Sequence, residues 1–384
     1  MLIDQVRKNR AAGRGAGTKR RGWELGIIVL LAALSFAADA GAAGLRTNRA
    51  KTLVPLDDII SGGPPPDGIP AIDRPVFVAP ATAAAWVRPT EPVLALTVNG
   101  DARAYPLQIL MWHEIVNDVV GHSAVVVTYC PLCNSGLVFE RVVDGATLDF
   151  GTSGMLYKSD LVMYDRQSHS LWSQMEGRAI VGDRVGTRLR ALPANTVAFE
   201  EWQTAYPDGR VLSRETGHGR SYGVNPYRAY DQPIQAPFLF QGRPDPRRPP
   251  KERVVGLARG ESRRAYPWPL LETQRVVHDT VDGQPIAIFY KPGTLSALDD
   301  ATIARSRPVG ATSVFSARLG ERTLSFEPTT LGFRDRETDS HWNFFGRAVG
   351  GRLAGQRLTP LQHVDAFWFA WAAFNPTTTI WSGP

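Results

Sequence analysis

From Val93 onward the chain is a succession of short apolar runs broken by turn formers. Val125-Val126-Val127-Thr128-Tyr129 and Leu137-Val138-Phe139 are rich in β-branched and aromatic residues, which suit a pleated, half-buried surface. Val142-Val143-Asp144-Gly145-Ala146-Thr147-Leu148 carries the Asp-Gly pair used by two-residue hairpins. Helical spacing is rarer. Ile109, Leu110, His113 and Val116 predict a helix from Leu107 to about Asn117. A second helix is predicted from Thr196, as N-cap, to a stop before Pro207, and a third from Asp365 to a stop before Pro376.

The same order of segments then recurs. Ala104-Tyr105-Pro106 is answered by Ala265-Tyr266-Pro267, and Val116-Asn117-Asp118-Val119 by Val277-His278-Asp279-Thr280. Val125 to Tyr129 is answered by Ile286 to Tyr290, Asp165-Arg166 with Trp172 by Asp335-Arg336 with Trp342, and Trp202 by Trp371. Such self-similarity outranks any local pattern. It predicts a β-rich α+β fold made by internal duplication of one strand-rich unit, its two copies packed as a pseudo-symmetric pair. The expected organisation is a signal peptide over 1–42, an extended Pro/Gly-rich leader over 43–92 and a first copy over 93–215. A Pro-rich connector over 216–253 and a second copy over 254–381 follow.

The N-terminus changes the reading of charge. Arg7 to Arg21 is basic, Leu25 to Ala38 is an apolar run of about 14 residues against the roughly 20 that span a bilayer, and small residues follow. That order is a secretory signal, giving an extracytoplasmic, periplasmic or secreted protein; an uncleaved anchor would leave the body in the same compartment. Of the formal charge of +6, most lies here: the rest of the chain holds 36 basic against 34 acidic residues. Nucleic acid is therefore not an expected partner, and no later stretch is apolar enough to span a membrane after signal removal. No phosphate loop, G-x-S-x-G or H-E-x-x-H occurs, and no nucleotide cofactor is indicated.

Only two cysteines occur in 384 residues, as Cys130-Pro131-Leu132-Cys133, in the first copy alone. A chain this long does not need them for stability. Positions kept in both copies are read as architecture, and positions special to one copy as chemistry. Lys291 and Thr294 stand opposite the cysteines, Gln274 opposite His113, and Asp339 opposite His169. Strand, Cys-Pro-Leu-Cys turn and strand resemble the knuckle of zinc ribbons and rubredoxins rather than a helix-borne redox pair. Two thiols are half a metal site, so His113 is the first candidate to complete one for copper or zinc. Met155, Met163, His169 and Asp160 are lesser candidates to complete it, and Tyr157, Lys158, Asp160, Met163 and His169 are candidates to line it. The plain alternatives are a local disulfide clip and a His113 that merely bonds the backbone.

Tyr105-Pro106-Leu107, Trp112-His113-Glu114-Ile115-Val116-Asn117-Asp118, Thr128-Tyr129-Cys130-Pro131-Leu132-Cys133 and Ser159-Asp160-Leu161-Val162-Met163-Tyr164-Asp165-Arg166 resemble a bacterial family, domain of unknown function 3179. Leu171-Trp172-Ser173-Gln174, Pro249-Pro250-Lys251-Glu252-Arg253-Val254 and Phe367-Trp368-Phe369-Ala370-Trp371 share the resemblance, which runs from about Val93 to Trp381. It implies no activity and no catalytic residue; it makes the Trp-His and Cys-Pro-Leu-Cys segments look like family features. Three functions are therefore expected in order. The first is an exported Cys/His metal-binding module. The second is a thiol–disulfide or metal-dependent oxidoreductase with Cys130 and Cys133 as the redox pair. The third is a ligand-binding β scaffold with a structural disulfide.

Overall fold

The computed structural model describes residues 44–383, so the expected signal peptide and its cleavage lie outside the described residues. The fold is β-rich, with several sheets and few helices. No helix of the described residues is long and apolar enough to cross a membrane.

After a leader strand β1 (Ile59–Ser61) come β2 (Pro92–Val98), β3 (Asp101–Pro106), α1 (Leu107–His113), β4 (Ile115–Val120) and β5 (Ser123–Cys130). Next are β6 (Ser135–Glu140), β7 (Phe150–Tyr157), β8 (Asp160–Asp165), β9 (Leu171–Ser173), β10 (Arg178–Val181), β11 (Ala194–Ala198) and α2 (Phe199–Ala205). A second series opens with β12 (Arg253–Arg259), β13 (Ser262–Pro267), α3 (Trp268–Gln274), β14 (Val276–Val281) and β15 (Gln284–Lys291). It continues with β16 (Ala311–Ser316), β17 (Phe326–Thr329), β18 (Gly332–Asp335), β19 (His341–Trp342), β20 (Ala348–Gly350), β21 (Val364–Phe367) and α4 (Trp368–Phe374).

The first five paired elements match in length: 7, 6, 7, 6 and 8 residues in each series. Their pairings match too. β11–β2–β3 corresponds to β21–β12–β13, and β4–β5–β6 to β14–β15–β16, all antiparallel. β7 to β10 corresponds to β17 to β20, each with a register shift in its last pair. The two series cross over: β21 packs on β6, and β11 on β16. Asn195 donates to the Thr312 carbonyl at 3.1 Å across that second contact. The largest core cluster accordingly mixes Tyr129, Cys133 and Val127 with Phe367, Trp368 and Trp371. Another mixes Phe199 and Trp202 with Phe289, Phe315 and Phe344. Neither series buries its apolar surface alone.

Three expected helix limits are corrected. The first helix ends at His113, because Glu114 takes a left-handed conformation (φ 58°) and Ile115 to Val120 pairs with β5. The second and third begin at Phe199 and Trp368, three residues later than expected. Thr196 and Asp365 instead lie in β11 and β21, where ladder pairing with β2 and β12 outweighs their capping tendency.

The matched Asp–Trp pairs are architectural. Trp172 donates its indole N–H to Asp165 at 2.9 Å and Trp342 to Asp335 at 2.8 Å; all four residues are buried. Each carboxylate also accepts from the turn behind it, Ser168 or Thr338. Trp172→Phe and Trp342→Phe each remove one bond to a buried carboxylate, an interaction worth roughly 1.5–3 kcal/mol. The two substitutions are expected to lower the midpoint of denaturant unfolding by similar amounts.

Candidate metal centre

Two hairpins meet at the centre. The first joins β5 to β6: Cys130 pairs with Ser135, and Pro131 to Asn134 form the turn. Asn134 closes it in the left-handed region (φ 54°), which Asn tolerates better than most residues. Gln174 braces it from the side, donating to Thr128 Oγ1 (3.0 Å) and the Ser135 carbonyl (3.2 Å) and accepting from Ser135 Oγ (3.1 Å). The second hairpin joins β7 to β8 through Lys158 and Ser159, both at positive φ (52° and 68°). This is a primed two-residue turn without the usual glycine, and such residues cost on the order of 1–3 kcal/mol each. Their contacts hold them there. Lys158 Nζ donates to the Ala373 carbonyl at 2.8 Å and lies over the Tyr157 and Phe374 rings. Ser159 Oγ donates to the Phe238 carbonyl at 2.6 Å.

The second hairpin delivers Asp160 to the thiols. Ligand atoms of Cys130, Cys133 and Asp160 all lie within 4.8 Å of one another, and all three residues are buried. Both cysteines are free thiols. Two zinc ligands at about 2.3 Å, set at a tetrahedral angle, are about 3.8 Å apart, so this group could hold a metal. Asp160 Oδ2 accepts from the Met175 amide at 2.9 Å, whereas its Oδ1 is buried and has no hydrogen-bond partner. Cys133 Sγ lies 3.6 Å from the Ser159 carbonyl.

The electrostatics are one-sided. Burial pushes Asp160 up to about 7. Burial, helped by Asp160, pushes Glu114 up to about 8. Burial raises both thiols as well, Cys133 most strongly. Among the described residues neither carboxylate has an ion-pair partner. Four acidic groups thus lie buried together with no ion-pair partner for either carboxylate among the described residues, and they can ionise together only if a cation is supplied.

His113 stands apart from this group. Its Nδ1 is 2.7 Å from the Pro70 carbonyl, so that nitrogen carries the proton, and its Nε2 accepts from the Tyr222 hydroxyl at 2.7 Å. The ring therefore ties the leader and the connector to the end of α1, and burial lowers its pKa to about 4. The left-handed residue after it explains the outcome: the chain turns between His113 and Glu114, and Glu114 is the one that comes under the influence of Asp160. Tyr157 packs on Phe374 and Lys158 binds the end of α4. Met163, three residues beyond Asp160, pairs with Trp172 across β8 and β9 and lies in the core. His169 accepts from the Arg46 amide at 3.1 Å in a turn under the leader.

Glu114 and Tyr227 are the residues that sequence reasoning passed over. A usable signal existed for the first: Arg275 stands opposite it in the second series, at the same left-handed position (φ 65°). Tyr227 sits in the connector, which has no counterpart to compare.

A β-rich chain of paired element series enclosing a buried dithiol–carboxylate group is the class that fold and site define. The chain belongs to the family described as protein of unknown function (DUF3179), whose model matches residues 66–378. No curated protein and no solved structure matches it.

Burial and raised pKa both suppress thiolate chemistry. In the native protein Cys130 and Cys133 are expected to react with an aromatic disulfide reagent at least about a hundredfold more slowly than in denaturant, where both thiols titrate. Fast native reaction of either would show the centre to be open.

Proposed function

We propose that the protein is a metal-binding protein in which Cys130, Cys133 and Asp160 hold one ion, with zinc ahead of copper. The observation that carries this reading is the buried group itself: ligand atoms of Cys130, Cys133 and Asp160 lie within 4.8 Å of one another. Asp160 reaches the two thiols, and among the described residues it has no ion-pair partner. Zinc accepts thiolate and carboxylate together, whereas Cu(I) favours sulfur and imidazole. Three protein ligands leave a fourth position, which is the pattern of reactive rather than purely structural zinc sites.

Protein purified without chelators is expected to contain about one zinc per chain, the content of a single site. Cys133→Ser and Asp160→Asn are expected to weaken zinc by more than the roughly 10–100-fold typical of changes outside the ligand set, while His113→Gln keeps the metal. A chain that holds no metal, and whose melting temperature does not rise with added zinc, removes this reading. The thiol–disulfide reading has less support, because the second cysteine leads into a strand and burial raises both thiols, outweighing the hydrogen bonds from Cys133 that favour a Cys130 thiolate.

We also propose that the chain is exported, on the basic, apolar and small-residue order of residues 1–42. Mass spectrometry of extracytoplasmic protein is expected to find an N-terminus near Ala40; soluble, full-length protein confined to the cytosol would count against export. The two series are read as copies of one duplicated unit, supported by their equal element lengths and crossed packing. Widely unequal costs of the paired tryptophan substitutions would weigh against that.

A further inference from the structure

A small chamber adjoins the centre, with a cavity volume of about 40 Å³. That is room for about three water-sized positions, hence for a molecule of three or four non-hydrogen atoms. Its walls are Leu132, Leu156, Leu161 and Phe238, and Pro64 of the leader roofs it. Only three side chains that line it are polar: Thr152, Glu114 and Tyr227. Thr152 Oγ1 already donates to the Ile69 carbonyl at 2.7 Å. Glu114 and Tyr227 lie side by side at the chamber's polar end.

The chamber is built rather than left over. The roof is fastened by Gly62 N–H to the Gly154 carbonyl and Asp67 N–H to the Thr152 carbonyl, both at 2.8 Å. It can come this close because residue 154 is glycine: φ is +73°, and a Cβ there would stand 2.0 Å from the Pro64 carbonyl oxygen. The register of β7 on β8 shifts between Thr152 and Met155, opening the strand where the chamber lies. Leu132 lies between the two cysteines and Leu161 directly follows Asp160, so the chamber's wall and the centre's ligands share the same two hairpins.

We propose that this chamber binds a small uncharged molecule, with an apolar body and one hydrogen-bonding end directed at Glu114, and that its binding is felt at the metal centre through the two hairpins that chamber and centre share. The walls disfavour any ion, and the Glu114 carboxyl disfavours an anion above all. The volume is too small to enclose a whole sugar, nucleotide or peptide. The coupling to the centre rests on the metal reading; the chamber itself does not.

Two probes separate these claims. Crystals of the processed protein are pressurised with xenon, and cobalt-substituted protein is titrated with n-propanol while its visible absorption is followed. Xenon density among Leu156, Leu161 and Phe238, together with a saturable propanol effect on the cobalt bands, is the expected result. Leu156→Phe should weaken propanol by about tenfold or more by filling the space. Leu156→Ala should admit n-pentanol, which the natural chamber excludes, and keeps the test valid if the larger side chain prevents folding. Bound cobalt without xenon density overturns the chamber and leaves the metal reading standing. Xenon density in protein that takes up no cobalt overturns the metal reading and leaves the chamber. Xenon and cobalt both bound, with no propanol effect, overturns the link between them.

Discussion

Asp160 is held beside two thiols with one carboxylate oxygen bonded and the other bare. Nearby Glu114 and the thiols themselves add acid rather than base, so the group is stable only while it keeps protons or holds a cation. Everything that positions it is costly in isolation. Lys158 and Ser159 adopt left-handed conformations, Glu114 does the same, and Gln174 gives up both ends of its amide to brace the thiol turn. Strain of this kind persists only where the surroundings over-determine it, and its concentration around one unsatisfied carboxylate points to use rather than accident.

The surroundings in question come largely from the other half of the chain. The Phe367 amide donates to the Cys133 carbonyl at 2.9 Å, and the Ala373 carbonyl receives Lys158. Thus β21 and α4 of the second series close the centre of the first. The connector adds a third side through Tyr227, Tyr230 and Phe238. It is pinned by buried Lys251, whose ammonium nitrogen lies 3.2 Å from the Tyr230 ring centre and donates to the Tyr230 carbonyl. A cut at the connector would leave both halves with open cores and the thiol turn in water.

Much of the strand pattern was legible because β-branched runs and Asp-Gly turns act locally. The helix starts were misjudged where a local cap competed with ladder pairing that only the folded sheet supplies, as at Thr196 and Asp365. The thiol pair stood out by its singularity, and the strand that follows it had marked a knuckle rather than a redox helix. Asp160 was legible as a candidate ligand in a copy-specific loop, ranked behind His113. Its promotion over His113 depends on a single backbone reversal at Glu114 and on a primed turn built from Lys-Ser, neither of which has the glycine signature that would reveal it. Glu114 itself was hidden by its more conspicuous neighbour.

The second series shows what the same scaffold does without this chemistry. Its counterpart turn, Lys291-Pro292-Gly293-Thr294, sits against α2 as the thiol turn sits against α4, and Lys291 pairs with Glu201 of that helix. Here the turn's charged group has a partner of opposite sign and the pair stays partly in solvent, so no buried charge needs an outside ion. The surrounding cleft, of about 450 Å³, mixes charged with apolar side chains, whereas the space lined by Glu114 and Leu161 is small and almost wholly apolar. Turn position and covering helix correspond in the two series. What differs is the charge at the turn: Lys291 meets Glu201, whereas Asp160 beside the thiol turn has no ion-pair partner among the described residues. That contrast ties the cysteines to Asp160 more firmly than their proximity does: on a framework able to neutralise the position internally, the first series carries an acid trio that cannot neutralise itself.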